Sequence, residues 1–134
     1  MPYEILEHTA DLRIKVKGKN LQKLFRSALE AMAHIMLPNK EKNSSSSKKI
    51  SLSASDKTSL LIDFLNEVLT NANIEKKVYS EVAFNKLTDN KLDAEIHGFP
   101  VDEFKEDIKA VTFHEADIQK NKKGLFETNI VFDI

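Results

Sequence analysis

Two stretches with helical periodicity constrain the fold of this chain most strongly. Apolar residues recur every three or four positions between Asn20 and Leu37, and they do so again between Asp56 and Ala72. Asn20 and Asp56 are typical helix N-caps, and Pro38 ends the first helix because its ring cannot continue one. Each predicted helix therefore has one apolar face that another layer must cover.

The remaining chain has the pattern of strands. The stretch DLRIKVKG, residues 11–18, alternates strictly between apolar and charged side chains. After about Lys77 the chain is strand-like to its end, with turn signals at Asp89-Asn90 and in QKNKKG, residues 119–124. We therefore predict an α+β fold of two layers, in which two long helices cover a mostly antiparallel or mixed sheet.

Composition limits the classes of protein that fit. A chain of 134 residues suits one domain, residues 1–134, and the polar stretch NKEKNSSSSKK predicts a flexible loop at about 39–49. A formal net charge of −1 argues against nucleic acid as the main ligand. The apolar runs are too short to cross a membrane, cysteine is absent and the start lacks a signal sequence, so we expect a cytoplasmic protein.

The sequence ends in NIVFDI, which reads as a strand that continues to the last residue. Asp133 then stands beside the α-carboxylate of Ile134, and two carboxylates this close repel each other unless a cation or a group of donors lies between them. Oxygen ligands of this kind suit Ca²⁺ or Mg²⁺ better than zinc or copper. The alternative is a solvated chain end whose charges need no partner.

Asp11 lies in EHTADL, residues 7–12, where polar residues interrupt the apolar alternation. In one interpretation Thr9 and Asp11 form hydrogen bonds within a local turn, as these residue types often do. In the other, Asp11 projects from the rim of the sheet into a site whose other members come from elsewhere in the chain.

Lys109 begins the stretch KAVTFH, residues 109–114. In a strand it would share one face with Val111 and Phe113. Such a lysine usually extends past the sheet edge into solvent, but it could also neutralise a carboxylate cluster or meet a partner's phosphate or acidic group. No Ser-His-Asp arrangement or Gly-rich phosphate loop is present, so no catalytic residue is predicted.

Taken in order, these motifs resemble the archease family over nearly the whole chain. The matching stretches are EHTADL, LFRSALEAM, DKTSLLIDFLNEVL, IHG, KAVTFH and the terminal VFDI. The resemblance implies that Asp11, Asp133 and the chain end at Ile134 correspond to the family's metal site. It also implies that Lys109 is similar to residues needed to activate a partner enzyme.

The resemblance further implies a cytoplasmic accessory protein that is not an enzyme. Archeases activate a GTP-dependent RtcB-class RNA ligase, which joins tRNA halves after intron removal, by promoting its guanylylation and repeated turnover. The implied cofactor is a divalent cation, Ca²⁺ in preference to Mg²⁺, and tRNA is contacted only through the ligase. The alternatives are a chaperone-like interaction domain for tRNA-modifying enzymes without a metal role, and a metal-dependent hydrolase, for which no general base is suitably spaced.

Four positions depart from the residues usual in that family. Arg13 follows the first motif in place of a small residue, and Phe99 stands where an acidic residue is usual. In the second helix, Thr58 and Phe64 replace an acidic residue and a tryptophan. These departures bear on the docking surface more than on the expected metal ligands.

Overall fold

The computed structural model describes residues 10–37 and 45–134 of the chain. These residues form, in order, β1 (Asp11–Gly18), α1 (Leu21–Met36), β2 (Ser46–Ser53), α2 (Lys57–Glu75), β3 (Lys77–Leu87), β4 (Lys91–Pro100), β5 (Ala110–Thr112), β6 (Gln119–Lys120) and β7 (Phe126–Asp133). Thr9 and its predicted turn lie outside the described residues. The predicted α+β class is confirmed.

Both helices begin where their N-caps predict. The Oδ1 of Asn20 accepts a hydrogen bond from the N–H of Lys23 at 2.9 Å, which satisfies a free donor of the first turn of α1. The Oδ1 of Asp56 accepts from the N–H of Ser59 at 2.7 Å, and this bond lowers the pKa of the Asp56 carboxyl. Neither helix in the described part of the chain has the length and apolarity that a membrane span requires.

The strands divide between two antiparallel sheets. The first sheet has the order β1-β7-β5, with β6 also pairing with β7, and the second has the order β2-β4-β3. Strand β2 begins at Ser46, because residues 46–49 pair with β4, so the end of the predicted 39–49 loop is part of a strand. Residues 39–44 of that loop lie outside the described residues.

One core joins the helices to both sheets. Helix α1 contacts β1 and β7 of the first sheet and β3 of the second, while α2 contacts β5 and all three strands of the second. Phe25 of α1, Phe64 of α2 and Phe84 of β3 meet with ring centroids 5.9 to 6.3 Å apart. Phe64 therefore fills the interior between the layers.

The region that is predicted to be strand-like after about Lys77 is interrupted before β6. Strand β5 ends at Thr112, and residues 113–118 form a loop before β6. The N–H of Asp117 donates to the Thr128 hydroxyl at 2.9 Å, and the N–H of Ile118 donates to the Thr58 hydroxyl at 3.0 Å. These side chains replace a strand partner for the loop backbone.

A cluster of Lys48, Glu75 and Tyr79 links β2, α2 and β3. The Nζ of Lys48 lies 3.0 Å from the Oε2 of Glu75, and the Tyr79 hydroxyl donates a hydrogen bond to the same carboxylate. The bonds from Tyr79 and Lys48 lower the pKa of Glu75, while burial and the neighbouring carboxylate raise the pKa of Tyr79. The cluster is therefore most stabilising when Glu75 is ionised.

We expect Tyr79→Phe to lower the free energy of unfolding by about 1–2 kcal/mol at neutral pH, since a hydrogen bond to a charged group is lost. Because the pKa of Glu75 is lower in the folded state, its contribution is present above the ordinary carboxyl pKa of 4.5 and disappears as the pH falls through the folded value. Urea unfolding over a pH series should show the variant approaching wild type in acid. An equal loss of free energy of unfolding at every pH would contradict a hydrogen bond from Tyr79 to an ionised Glu75.

Candidate functional site

Asp11 and Asp133 lie opposite each other at one end of the first sheet. Their positions are paired across β1 and β7, and the N–H of Ile134 donates to the carbonyl oxygen of Ala10 at 3.0 Å. That bond makes Asp11 and Asp133 a non-hydrogen-bonded pair, whose Cα atoms in antiparallel sheets lie about 4.5 Å apart. Two carboxylates from opposite ends of the sequence thus share one face of the sheet.

Lys109 and Ala110 lie on the other side of Asp133. Ala110 of β5 is paired with Asp133, and the N–H of Lys109 donates to the Asp133 carbonyl oxygen at 2.7 Å. The backbone of Lys109 is therefore held at the same sheet end as the two aspartates. Ala110 shares their face, and its methyl group leaves space beside the Asp133 carboxylate.

The predicted grouping of Lys109 with Val111 and Phe113 on one strand face is wrong. Lys109 precedes β5, Val111 is buried, and Phe113 follows the end of the strand with 55% of its surface exposed. The interruption by the 113–118 loop explains the difference, because alternation of side chains requires a continuous strand.

Arg13 supplies positive charge beside the paired aspartates. Its Nη2 lies 3.9 Å from the Oδ2 of Asp11, whereas its Nε lies 3.3 Å from the Oε2 of Glu115. Glu115 is also 3.7 Å from the Nε2 of His114. The guanidinium is thus shared between two carboxylates, and its closer partner is Glu115, so Asp11 is only weakly neutralised.

The donor set at this sheet end consists of oxygen atoms. Within residues 10–37 and 45–134, no group of three or more His, Cys, Asp or Glu side chains is placed to hold a metal ion. Asp11 and Asp133 form a pair, and the third predicted ligand is the main-chain carboxylate of Ile134. These oxygens fit a hard cation such as Ca²⁺ or Mg²⁺, with water or a partner's groups supplying the remaining ligands.

Asn66 of α2 positions β5 and was missed by sequence reasoning. The pattern of α2 predicts that Asn66 lies on the solvent face, but its Nδ2 donates to the Val111 carbonyl at 2.7 Å and its Oδ1 accepts from the Val111 N–H at 2.9 Å. The Asn66 amide thereby forms hydrogen bonds with the N–H and C=O groups of Val111 on the edge of β5 that faces away from β7. Its spacing in the sequence does not distinguish it from a solvated amide.

We expect Asn66→Leu to lower the free energy of unfolding by about 1–3 kcal/mol, since the buried backbone groups of Val111 would lose their partners. The Val111 amide should also exchange its hydrogen faster than in wild type. Chemical denaturation and hydrogen exchange would measure both effects. Asn73→Leu is the matched control, because Asn73 is an exposed residue of the same helix; equal losses in the two variants would contradict this role.

Comparison with known proteins gives consistent results across the chain. Residues 3–134 match the Archease protein family. A protein archease from Pyrococcus abyssi is 31% identical over 98% of this chain and 98% of its own length. Another from Methanosarcina barkeri is 29% identical over 98% of this chain and 95% of its own length.

Two solved structures are similar in fold. Protein 1598 from Methanobacterium thermoautotrophicum has 25% sequence identity and a TM-score of 0.75, with 96% of each chain covered. A Thermotoga maritima protein described as an archease and possible chaperone has 19% identity and a TM-score of 0.64, covering 100% of this chain and 98% of its own. At 19% identity, the similarity to the Thermotoga maritima protein supports the fold alone.

Proposed function

The chain belongs to the archease family, and from this premise we propose that it is a non-catalytic activator of a GTP-dependent RtcB-class RNA ligase in tRNA splicing. In this proposal it promotes guanylylation of the ligase and allows it to turn over repeatedly. Asp11, Asp133 and the Ile134 carboxylate bind a divalent cation, Ca²⁺ in preference to Mg²⁺, and Lys109 contacts the ligase.

The observation that carries this proposal is the pairing of Asp11 with Asp133 across β1 and β7. Like charges placed directly opposite each other destabilise a sheet by roughly 0.2–1 kcal/mol. A fold gains nothing structural from such a pair, so a role in binding explains it better. The hydrogen bond from the Lys109 backbone to Asp133 brings a cationic residue to the same sheet end.

The residues at this sheet end have distinct roles in the proposal. Asp11 and Asp133 present carboxylate oxygens on one face, and the Lys109 ammonium is available to a phosphate or carboxylate of the ligase. A bound cation would supply positive charge and open coordination positions between the two proteins. Activation itself requires that this surface binds the active state of the ligase more tightly than the inactive state.

Multiple-turnover RNA ligation by the ligase from the same source tests the proposal. Wild-type protein should restore repeated turnover, whereas Asp133→Ala should leave the ligase near its level without activator. Asp89→Ala is the matched control, since Asp89 is exposed in the β3–β4 turn far along the sequence from the site. Failure of the wild-type protein, or full activation by Asp133→Ala, would contradict the proposal.

A chaperone-like interaction domain without a metal role is the second candidate. Exposed Phe113 and Ile74, with 55% and 77% of their surfaces accessible, offer apolar contacts to a partner. Deletion of Ile134 discriminates between the two candidates. An interaction domain should keep its partner-binding activity apart from a change in stability, whereas a metal-dependent activator should lose activation together with cation affinity.

A further inference from the structure

A cationic cleft lies at the opposite end of β1 from the paired aspartates. It has a volume of about 460 Å³, and it is lined by four cationic side chains and one carboxylate, namely Lys17, Lys19, Lys23, Arg26 and Glu30. The chain as a whole has a formal net charge of −1, so this concentration of positive charge is local. It is separate from the site proposed above.

The cations of the cleft outnumber the carboxylates near them, which are Glu30 in the cleft and Glu127, paired with Lys17 across β1 and β7. Earlier in β1, Arg13 lies 3.3 Å from Glu115 and Lys15 lies 3.5 Å from Glu127. In the described parts of the chain, none of the four cleft cations forms an ion pair as short as these, although Lys17 helps to lower the pKa of Glu127. An excess of cations over carboxylates in a concave surface gives a positive potential that attracts an anion.

The floor of the cleft is made by close packing of β1 against α1. A β-carbon at Gly18 would lie 2.4 Å from the amide nitrogen of Leu24, so only glycine lets the strand end approach the helix backbone this closely. Lys17 of β1 and Lys23 of α1 therefore line the cleft from two elements whose relative positions are fixed, and Lys19 lies in the short connection between them. The start of α1 also faces this end, where the helix dipole favours negative charge.

The positive surface continues beyond the cleft. Leu125 lines the cleft, and the turn immediately before it contains Lys122 and Lys123, both exposed. Gly18 pairs with Phe126, so this turn and the end of β1 lie at the same end of the sheet. Cations spread over a cleft and its rim suit a ligand that carries repeated negative charges better than a single small anion.

We propose that this cleft binds the phosphodiester backbone of a nucleic acid strand, for which RNA is the appropriate probe. The lysine side chains neutralise successive phosphates, and Leu125 with the lysine methylenes gives apolar contact to the sugars. Gly18 is seven residues along β1 from Asp11, which corresponds to about 23 Å. A strand bound here leaves the aspartate end free for another partner.

This inference goes beyond the proposed function and does not depend on it, since it concerns direct contact with RNA in the absence of a ligase. It differs in this from the expectation, drawn from the family resemblance, that RNA is contacted only through the ligase. Fluorescence anisotropy with a short labelled single-stranded RNA tests it at several salt concentrations. Four phosphate contacts predict that log K falls with log salt with a slope of about −3. The variant Lys19→Gln/Lys23→Gln should bind about tenfold more weakly, with a slope shallower by about 1.4.

The variant Lys86→Gln/Lys91→Gln is the matched control, because it removes the same charge from exposed lysines near the β3–β4 turn. It should bind RNA like wild type, and thermal unfolding should show that both variants fold. Absence of RNA binding, or an equal loss in both variants, would overturn the proposal. Displacement of the RNA by polyglutamate as effectively as by unlabelled RNA would assign the cleft to acidic proteins, and equal displacement by free nucleotide would assign it to single phosphates.

Discussion

Replacing Asp133 with asparagine is expected to stabilise the cation-free protein slightly and to remove its stabilisation by calcium. The carboxylates of Asp11 and Asp133 oppose each other across β1 and β7. Relief of this repulsion should raise the free energy of unfolding by up to about 1 kcal/mol. Wild-type protein should instead gain about 2.7 kcal/mol when calcium is present at 100 times its dissociation constant, and the variant should gain almost nothing.

Thermal unfolding with added calcium, added magnesium or a chelator would measure these effects. Asp89→Asn provides the control, as it makes the same chemical change at an exposed aspartate of the β3–β4 turn. The control should respond to calcium like wild type. Equal stabilisation of wild type and Asp133→Asn by calcium would show that this pair is not the binding site.

Phe132→Ala is expected to produce the largest loss of stability, about 3–5 kcal/mol. The Phe132 side chain is fully buried, and its position pairs with Leu12 on one side and Val111 on the other. Truncation would leave a cavity beside the central strand of the first sheet. Since Asp133 is the next residue, the loosened strand would also hold the carboxylate pair less firmly.

Chemical denaturation of Phe132→Ala would measure that loss. Phe113→Ala is the control, because Phe113 keeps 55% of its surface exposed; it should change the free energy of unfolding by no more than about 0.5 kcal/mol. Phe132→Leu should cost about 1.5 kcal/mol, since most of the apolar volume remains. Similar losses at both phenylalanine positions would contradict the assignment of Phe132 to the core.

Local sequence patterns predict the helices and most strands of this protein. Asn20 and Asp56 cap their helices through hydrogen bonds that involve residues only three positions away, so they can be recognised from the sequence. The division into two sheets cannot be recognised in this way, because it depends on which strand edges meet. Periodicity identifies the apolar face of a strand but not its neighbour.

Local sequence patterns also fail to predict which residues meet at the candidate site. Asp11 and Asp133 are 122 positions apart in the sequence, and only the register of β1 with β7 brings them together. Asn66 acts on Val111 from a separate element, so its amide cannot be distinguished from a solvated one by spacing. The resemblance of the motifs predicts the aspartates as site residues, whereas the contact between Asn66 and Val111 can be seen only in the fold.

The position of β7 has a consequence for synthesis of the protein on the ribosome. Strands β2, β4 and β3 are all present once Pro100 has been made, so the second sheet can pair during translation. The first sheet has β7 at its centre and cannot assemble until Phe126–Asp133 has emerged. A chain interrupted before this segment would therefore contain both helices but no paired aspartates.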